Sequence, residues 1–144
     1  MTGFAQIIAE ARRSGAWGAV LAAVPYAAFI GLGAALEDDG TVVARLAYRP
    51  ENVGNPRVPA IHGGLIAALM ETAMVLEILR GGDTLALPRI VNFTTEFYRP
   101  PGLVETKARA EIVRRGRRLA VLRAMAWQAD PARPVAGGHG HVVP

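Results

Sequence analysis

The residues with the most chemistry in this 144-residue chain stand in one run, Ile61-His62-Gly63-Gly64-Leu65-Ile66-Ala67-Ala68-Leu69-Met70-Glu71. Two glycines at a helix start leave backbone N–H groups free and approachable, with the positive end of the helix dipole behind them. That place suits a carbonyl oxygen as it becomes an oxyanion. Glu71 stands in an otherwise apolar helix face, where burial raises a carboxylate's pKa and an unpaired charge costs on the order of several kcal/mol. It needs a buried Arg, a loop to cap, or a chemical task. His62 reads first as a hydrogen-bonding loop residue and second as a base.

Gly63 and Glu71 are eight residues apart, which is about 12 Å along a helix at 1.5 Å per residue. One small reacting carbonyl does not easily touch both in the same chain. If they share a site, a second copy of the helix supplies one of them, and a two-fold dimer with antiparallel helices does so twice. Elsewhere, Gly138-His139-Gly140-His141 offers two imidazoles, but no third metal ligand stands near them in the sequence. The chain has no Cys, which excludes disulfides, thiolate zinc sites and a Cys nucleophile.

The elements that must position these residues follow from pattern. Phe4 to Arg13 is expected to form a short amphipathic helix with Phe4, Ile7, Ile8 and Ala11 on one face. Tyr26 to Leu36 and Thr41 to Tyr48 are expected as strands, the first following a turn at Val24-Pro25-Tyr26, with Asp39-Gly40 in the hairpin between them. Pro50 to Pro59, with three prolines and Gly54, reads as a loop. Gly63-Gly64 opens a helix reaching about Arg80 and closed by Gly81-Gly82; it is apolar nearly all round, so other structure must enclose it. Arg89 to Arg99 has strand character. In 104–112, Val104, Thr106, Ala108, Ala110 and Ile112 alternate with charged residues, the mark of a half-buried strand. Arg114-Arg115-Gly116-Arg117 is expected as a turn, Arg118 to Gln128 as a returning strand, and Val135 to Val143 as a last short one. One long helix among antiparallel strands excludes a doubly wound parallel sheet and favours an α+β fold, an antiparallel sheet wrapped around that helix. Phe29, Met70, Met74, Leu76 and Phe93 are candidates to line a pocket or fill the core.

Composition bounds the rest. Hydrophobic residues are 51% and charged residues 19%, which excludes a disordered chain. Ala16 to Leu36 carries no charge, but Pro25, Gly18, Gly31, Gly33 and eight alanines argue against a membrane span, and Glu71 and Glu77 do so for Ile61 to Leu79. The net charge is +4, with the excess local to 97–123: Arg99, Lys107, Arg109, Arg114, Arg115, Arg117, Arg118 and Arg123 stand against Glu105 and Glu111. Such a patch points to an anionic ligand. Nucleic acid is disfavoured because the basic hairpin lacks aromatic platforms for bases.

His62-Gly63-Gly64 followed by Glu71, in this strand–helix–strand order, resembles the hot-dog-fold acyl-CoA thioesterases, specifically the phenylacetate-degradation (PaaI-like) group, over Pro25 to Val143. Further matches are the Gly54-Asn55-Pro56 loop, the strand from Asn92-Phe93 to Arg99-Pro100, and the Arg115-Gly116-Arg117 turn. The resemblance implies a single hot-dog domain over 1–144, with 1–24 as a helical lead-in. It implies that the Gly63 N–H polarises a thioester carbonyl, that Glu71 of the facing subunit acts as base or nucleophile, and that His62 helps orient the site. Gly64, Asn55, Thr72, Arg99, Arg114, Arg115 and Arg117 become candidates for substrate binding, the arginines at the phosphates of coenzyme A. No cofactor is expected beyond the coenzyme A of the substrate, and no metal. The implied assembly is a homodimer that pairs into a dimer of dimers, cytoplasmic, with no nucleic acid or membrane partner. The chain departs from many relatives at Pro56, where Gln or Asn is common, and at Val75, where Thr or Ser holds water; Asn55 and Thr72 are the nearest substitutes. A non-catalytic acyl-thioester binding module is the competing reading. A hot-dog hydratase is disfavoured because its Asp, followed five residues later by His, is not found.

Overall fold

A computed structural model describes residues 3–144 of the chain. Glycine and proline break the first thirty residues into three short helices, α1 (Gly3–Ser14), α2 (Trp17–Ala22) and α3 (Pro25–Ile30). The expected apolar face of α1 is present: Ile8 and Ala11 are buried with Ala5, and Phe4 and Ile7 are half-buried. The expected strand over Tyr26–Leu36 is only half a strand. Pro25 occupies the first turn of α3, where its fixed φ suits a helix, and Gly31 at φ 83° ends that helix in a left-handed cap. The expected turn at Val24-Pro25-Tyr26 is therefore a helix start, and β1 is confined to Leu32–Leu36. Phe29, on the outer side of α3, is 78% exposed and belongs to no core.

β1 turns into β2 (Val42–Leu46) through Asp39-Gly40, with Gly40 at φ 84°. The segment expected as a plain loop, Pro50 to Pro59, holds more order than its prolines indicate: a 3-10 turn over Pro50–Asn52, then a small hairpin of β3 (Val53–Asn55) and β4 (Val58–Ile61) around Pro56. The long helix α4 (Gly63–Gly81) follows, then β5 (Arg89–Phe97), β6 (Thr106–Arg115), β7 (Ala120–Trp127) and β8 (Ala136–Val143).

Six strands make one antiparallel sheet in the order β1-β2-β6-β7-β8-β5, wrapped around α4 as the sequence pattern requires. Alternation sends Thr106, Ala108, Leu122, Ala124 and Ala126 inward, all buried. β6 begins two residues later than its pattern and runs on through Arg114 and Arg115, because the register shifts between Ile112 and Arg114 and leaves Val113 as an extra residue. Arg114 and Arg115 are thus strand residues rather than turn residues. β5, at the end of the sheet, is seated by aromatic rings against glycines of β8. A Cβ on Gly138 or Gly140 would lie 2.7 or 3.2 Å from the Phe93 ring, and one on Gly137 would lie 2.6 Å from the Tyr98 hydroxyl.

Ile66, Leu69, Met70, Met74, Leu76, Ile78 and Leu79 of α4 are fully buried, each contributing on the order of 1.5–3 kcal/mol by leaving water. The C-terminal end of α4 is held by α1. Arg12 Nε donates to the Leu79 carbonyl at 2.8 Å and its Nη2 to the Thr84 carbonyl at 2.6 Å, so a cation meets one carbonyl of the last helical turn and one of the loop that follows it. Gln128 latches the loop after β5, bonding both the N–H and the carbonyl of Gly102 at 3.0 and 2.8 Å. Among the described residues no helix is long and apolar enough to cross a membrane.

Candidate active site

The start of α4 is built from backbone outward. The Ile61 N–H donates to the Pro101 carbonyl at 3.1 Å and the His62 N–H to the Asn52 carbonyl at 2.8 Å, which fixes the entry of the chain. His62 is the N-cap: its Nδ1 accepts from the Gly64 N–H at 2.9 Å. With Nδ1 accepting, the neutral imidazole carries its proton on Nε2. Sequence reasoning expected both glycine N–H groups to be free. The cap takes that of Gly64, and only the Gly63 N–H is left without an acceptor among the described residues.

Neither glycine is there for its backbone angle, since among the described residues positive φ occurs only at Gly15, Gly31 and Gly40. They are there for room. A Cβ on Gly64 would stand 3.0 Å from the His62 ring, and one on Gly63 would stand 3.2 Å from the Phe97 ring. Gly54 serves the same corner, because its Cβ would lie 2.8 Å from His62 Cδ2.

Glu71 lies two turns further along α4, half-buried, with no hydrogen bond or ion pair among the described residues. The second carboxylate of the helix behaves differently: Glu77 receives both Nε and Nη2 of Arg80, at 2.9 and 2.6 Å. Of the ordinary explanations for Glu71, a buried Arg and a capped loop are both missing. Burial alone pushes its carboxyl above the usual carboxylate range. It shares a partly exposed stripe of α4 with Gly64, Ala67, Ala68, Thr72 and Val75, of which Ala68 and Val75 also pack against the core. Thr72 Oγ1 donates to the Ala68 carbonyl at 2.7 Å, and Asn55 Oδ1 accepts from the Arg57 N–H at 3.0 Å. Both side chains expected to stand in at Pro56 and Val75 are thus tied to local backbone.

The four candidate arginines form two groups. Arg99 is exposed beside the helix start, its N–H on the Val135 carbonyl at 3.4 Å and its neighbour Pro101 bonded to Ile61. Arg115 lies at the other end, its guanidinium 3.3 Å from the Cβ positions of Gly81 and Gly82. Those ends are separated by about 27 Å along α4 at 1.5 Å per residue. Arg114 and Arg117 line an open depression at that far end with Arg118 and His141. His141 Nδ1 lies 2.8 Å from Asn92 Oδ1, and among the described residues no group of three His, Cys, Asp or Glu is placed to hold a metal. Another open depression, about 950 Å³, is bordered by Glu77, Arg80, Glu111, Arg123 and His139 and includes neither Gly63 nor Glu71. Phe97, against Gly63, was not singled out from the sequence; the alternation of β5, with Phe93, Thr95 and Phe97 on the helix side, was the available signal.

Comparison with known proteins bears on the family and the fold. The family model for the acyl-CoA thioesterase N-terminal domain matches residues 52–140, which spans the small hairpin, α4, β5 to β7 and the first half of β8. A protein of Chromobacterium violaceum is similar in structure at 30% identity, covering 96% of each chain with a TM-score of 0.76. A Bacillus halodurans protein solved with CoA is 21% identical over 99% of this chain and 94% of its own, TM-score 0.76. A thioesterase of Ralstonia eutropha described as phenylacetic acid degradation-related is 17% identical over 96% of this chain and 99% of its own, TM-score 0.76. These share the hot-dog fold with this chain. No curated protein matches it.

Proposed function

The chain belongs to the acyl-CoA thioesterase N-terminal domain family, and on that premise we propose that it hydrolyses acyl-CoA thioesters to the free acid and coenzyme A. The observation that carries the reading is Glu71: a desolvated carboxylate without a partner, on the same helix as an unpaired Gly63 N–H and about 12 Å from it. Two copies with antiparallel α4 helices bring Gly63 of one against the partner's Glu71. The outer edge of β5, unpaired within the chain, supplies a strand edge for that association. The Gly63 N–H polarises the thioester carbonyl. Glu71 takes a proton from water as the water oxygen attacks the carbonyl carbon, and returns that proton to sulfur as the C–S bond breaks. The raised pKa supports the base role, because it moves the carboxylate toward the pH at which it exchanges protons. His62 acts as a positioning residue through its cap.

The same two-fold accounts for the split arginines. Glu71 lies about 15 Å along α4 from Gly81 and Arg115, so in an antiparallel pair the partner's Arg115 extends past the start of the first helix, toward Arg99. That end is where the phosphates of coenzyme A belong, with Arg114 and Arg117 beside them. Release of coenzyme A is read cleanly with a thiol-reactive dye, since the protein has no thiol. Glu71→Gln is expected to lower kcat by about 10²–10⁴, and Arg115→Ala to raise KM with kcat kept. Acyl-CoA binding without Glu71-dependent turnover overturns the hydrolase in favour of a binding module.

A further inference from the structure

We propose that Phe97 is the specificity-determining wall of the acyl subsite, setting the bulk tolerated next to the thioester carbonyl; the proposal rests on the thioesterase reading above. Its ring carbons lie 3.2, 3.3 and 3.8 Å from the Cβ position of Gly63, so the ring lies against the residue whose N–H is free. The other side of the ring is open, and Phe97 is 53% exposed although it points to the helix side of β5, opposite buried Ala136. A carbonyl oxygen accepting from Gly63 stands about 3 Å from that nitrogen, and its carbon and first substituents then reach the ring. Of the two arms of a thioester, the pantetheine arm leaves toward the arginines at the outer end. The acyl arm is left to pass Phe97, with Thr95 next on the same face and Phe93 beyond it already packed on the core. β5 seats the ring firmly, since Phe93 and Tyr98 on either side of it are each fitted over glycines of β8.

The test is the ratio of kcat/KM for 2,2-dimethylpropanoyl-CoA to that for acetyl-CoA, in the wild type, Phe97→Leu and Phe97→Ala, with size-exclusion chromatography of each. The expected result is a ratio raised by at least about tenfold in Phe97→Ala, with Phe97→Leu between and the elution volume unchanged. Release of coenzyme A with an unchanged ratio in both variants overturns this proposal alone. An equal loss for both substrates with dissociation of the oligomer also overturns it, making Phe97 an interface residue only. No release from any thioester by the wild type overturns the hydrolase reading, and this one with it.

Discussion

Replacing Gly63 by proline deletes one N–H from the proposed oxyanion position and leaves the helix able to form. Proline suits the first helical position, where its missing hydrogen has no partner to lose. His62 has ψ 128°, within the extended range required before proline. The added Cβ meets the Phe97 ring at 3.2 Å, and a ring so exposed can yield by a few tenths of an ångström. A stiffer unfolded chain offsets that contact by about 0.4–1 kcal/mol, so stability should stay within about 1 kcal/mol of wild type. Gly63→Ala is the control, since it carries the same Cβ, tilted to the same side as the N–H, but keeps the donor. Loss of one oxyanion donor is worth about 10²–10³ in kcat, or about 2.7–4 kcal/mol. Gly63→Pro should therefore fall below Gly63→Ala by that factor in coenzyme A release, at similar urea midpoints. Equal kcat values for the two variants, both folded, would refute the assignment of the Gly63 N–H.

Mixing Glu71→Ala with Gly63→Pro tests the composite site: subunit exchange should restore about one quarter of wild-type activity, because half the dimers are hybrids and each hybrid has one intact site. If both residues act within one chain, mixing restores nothing. The acid limb of the kcat/KM profile should fall as pH drops through a value above the ordinary 4.5 of Glu71. In stability the sign is opposite: the folded state holds the Glu71 proton more tightly, so stability is lost as pH rises through the folded value. Glu71→Gln should therefore raise the urea midpoint at pH 7 and leave it unchanged well below pH 4.5. Arg12→Met removes two charge-assisted bonds, one to the end of α4 and one to the loop after it, and should cost about 2–4 kcal/mol in urea unfolding, with no direct effect on KM.

The readable part of this protein was the part written in local pattern. The alternation after residue 104 specified antiparallel strands, and the largely apolar run after Gly64 specified an enclosed helix. The places of Gly63 at the start of α4 and of Glu71 two turns on were legible because they depend on helix position and spacing. The α3 helix was misread as strand because six residues carry too little period; its bounds, Pro25 and Gly31, were the better signal. The β3–β4 hairpin was hidden by its prolines. The His62 cap fell outside the usual capping residues. The Arg12 clasp joins residues 67 positions apart, and the placement of Phe97 against Gly63 is likewise a tertiary event that no local pattern encodes.

The rings of β5 and the glycines of β8 act together as an indexing key. Phe93 and Tyr98 point to opposite faces and each fits a notch that only glycine leaves. Sliding β5 by one residue would turn both rings to the other face and set Phe93 opposite His139 or His141 in place of Gly140. The strand therefore has one seat, and with it the distance between the Phe97 ring and the helix start has one value. An edge strand is normally the most tolerant part of a sheet; here it is toleranced like a fitted part. Any copy that pairs along its free side inherits that alignment without having to specify it.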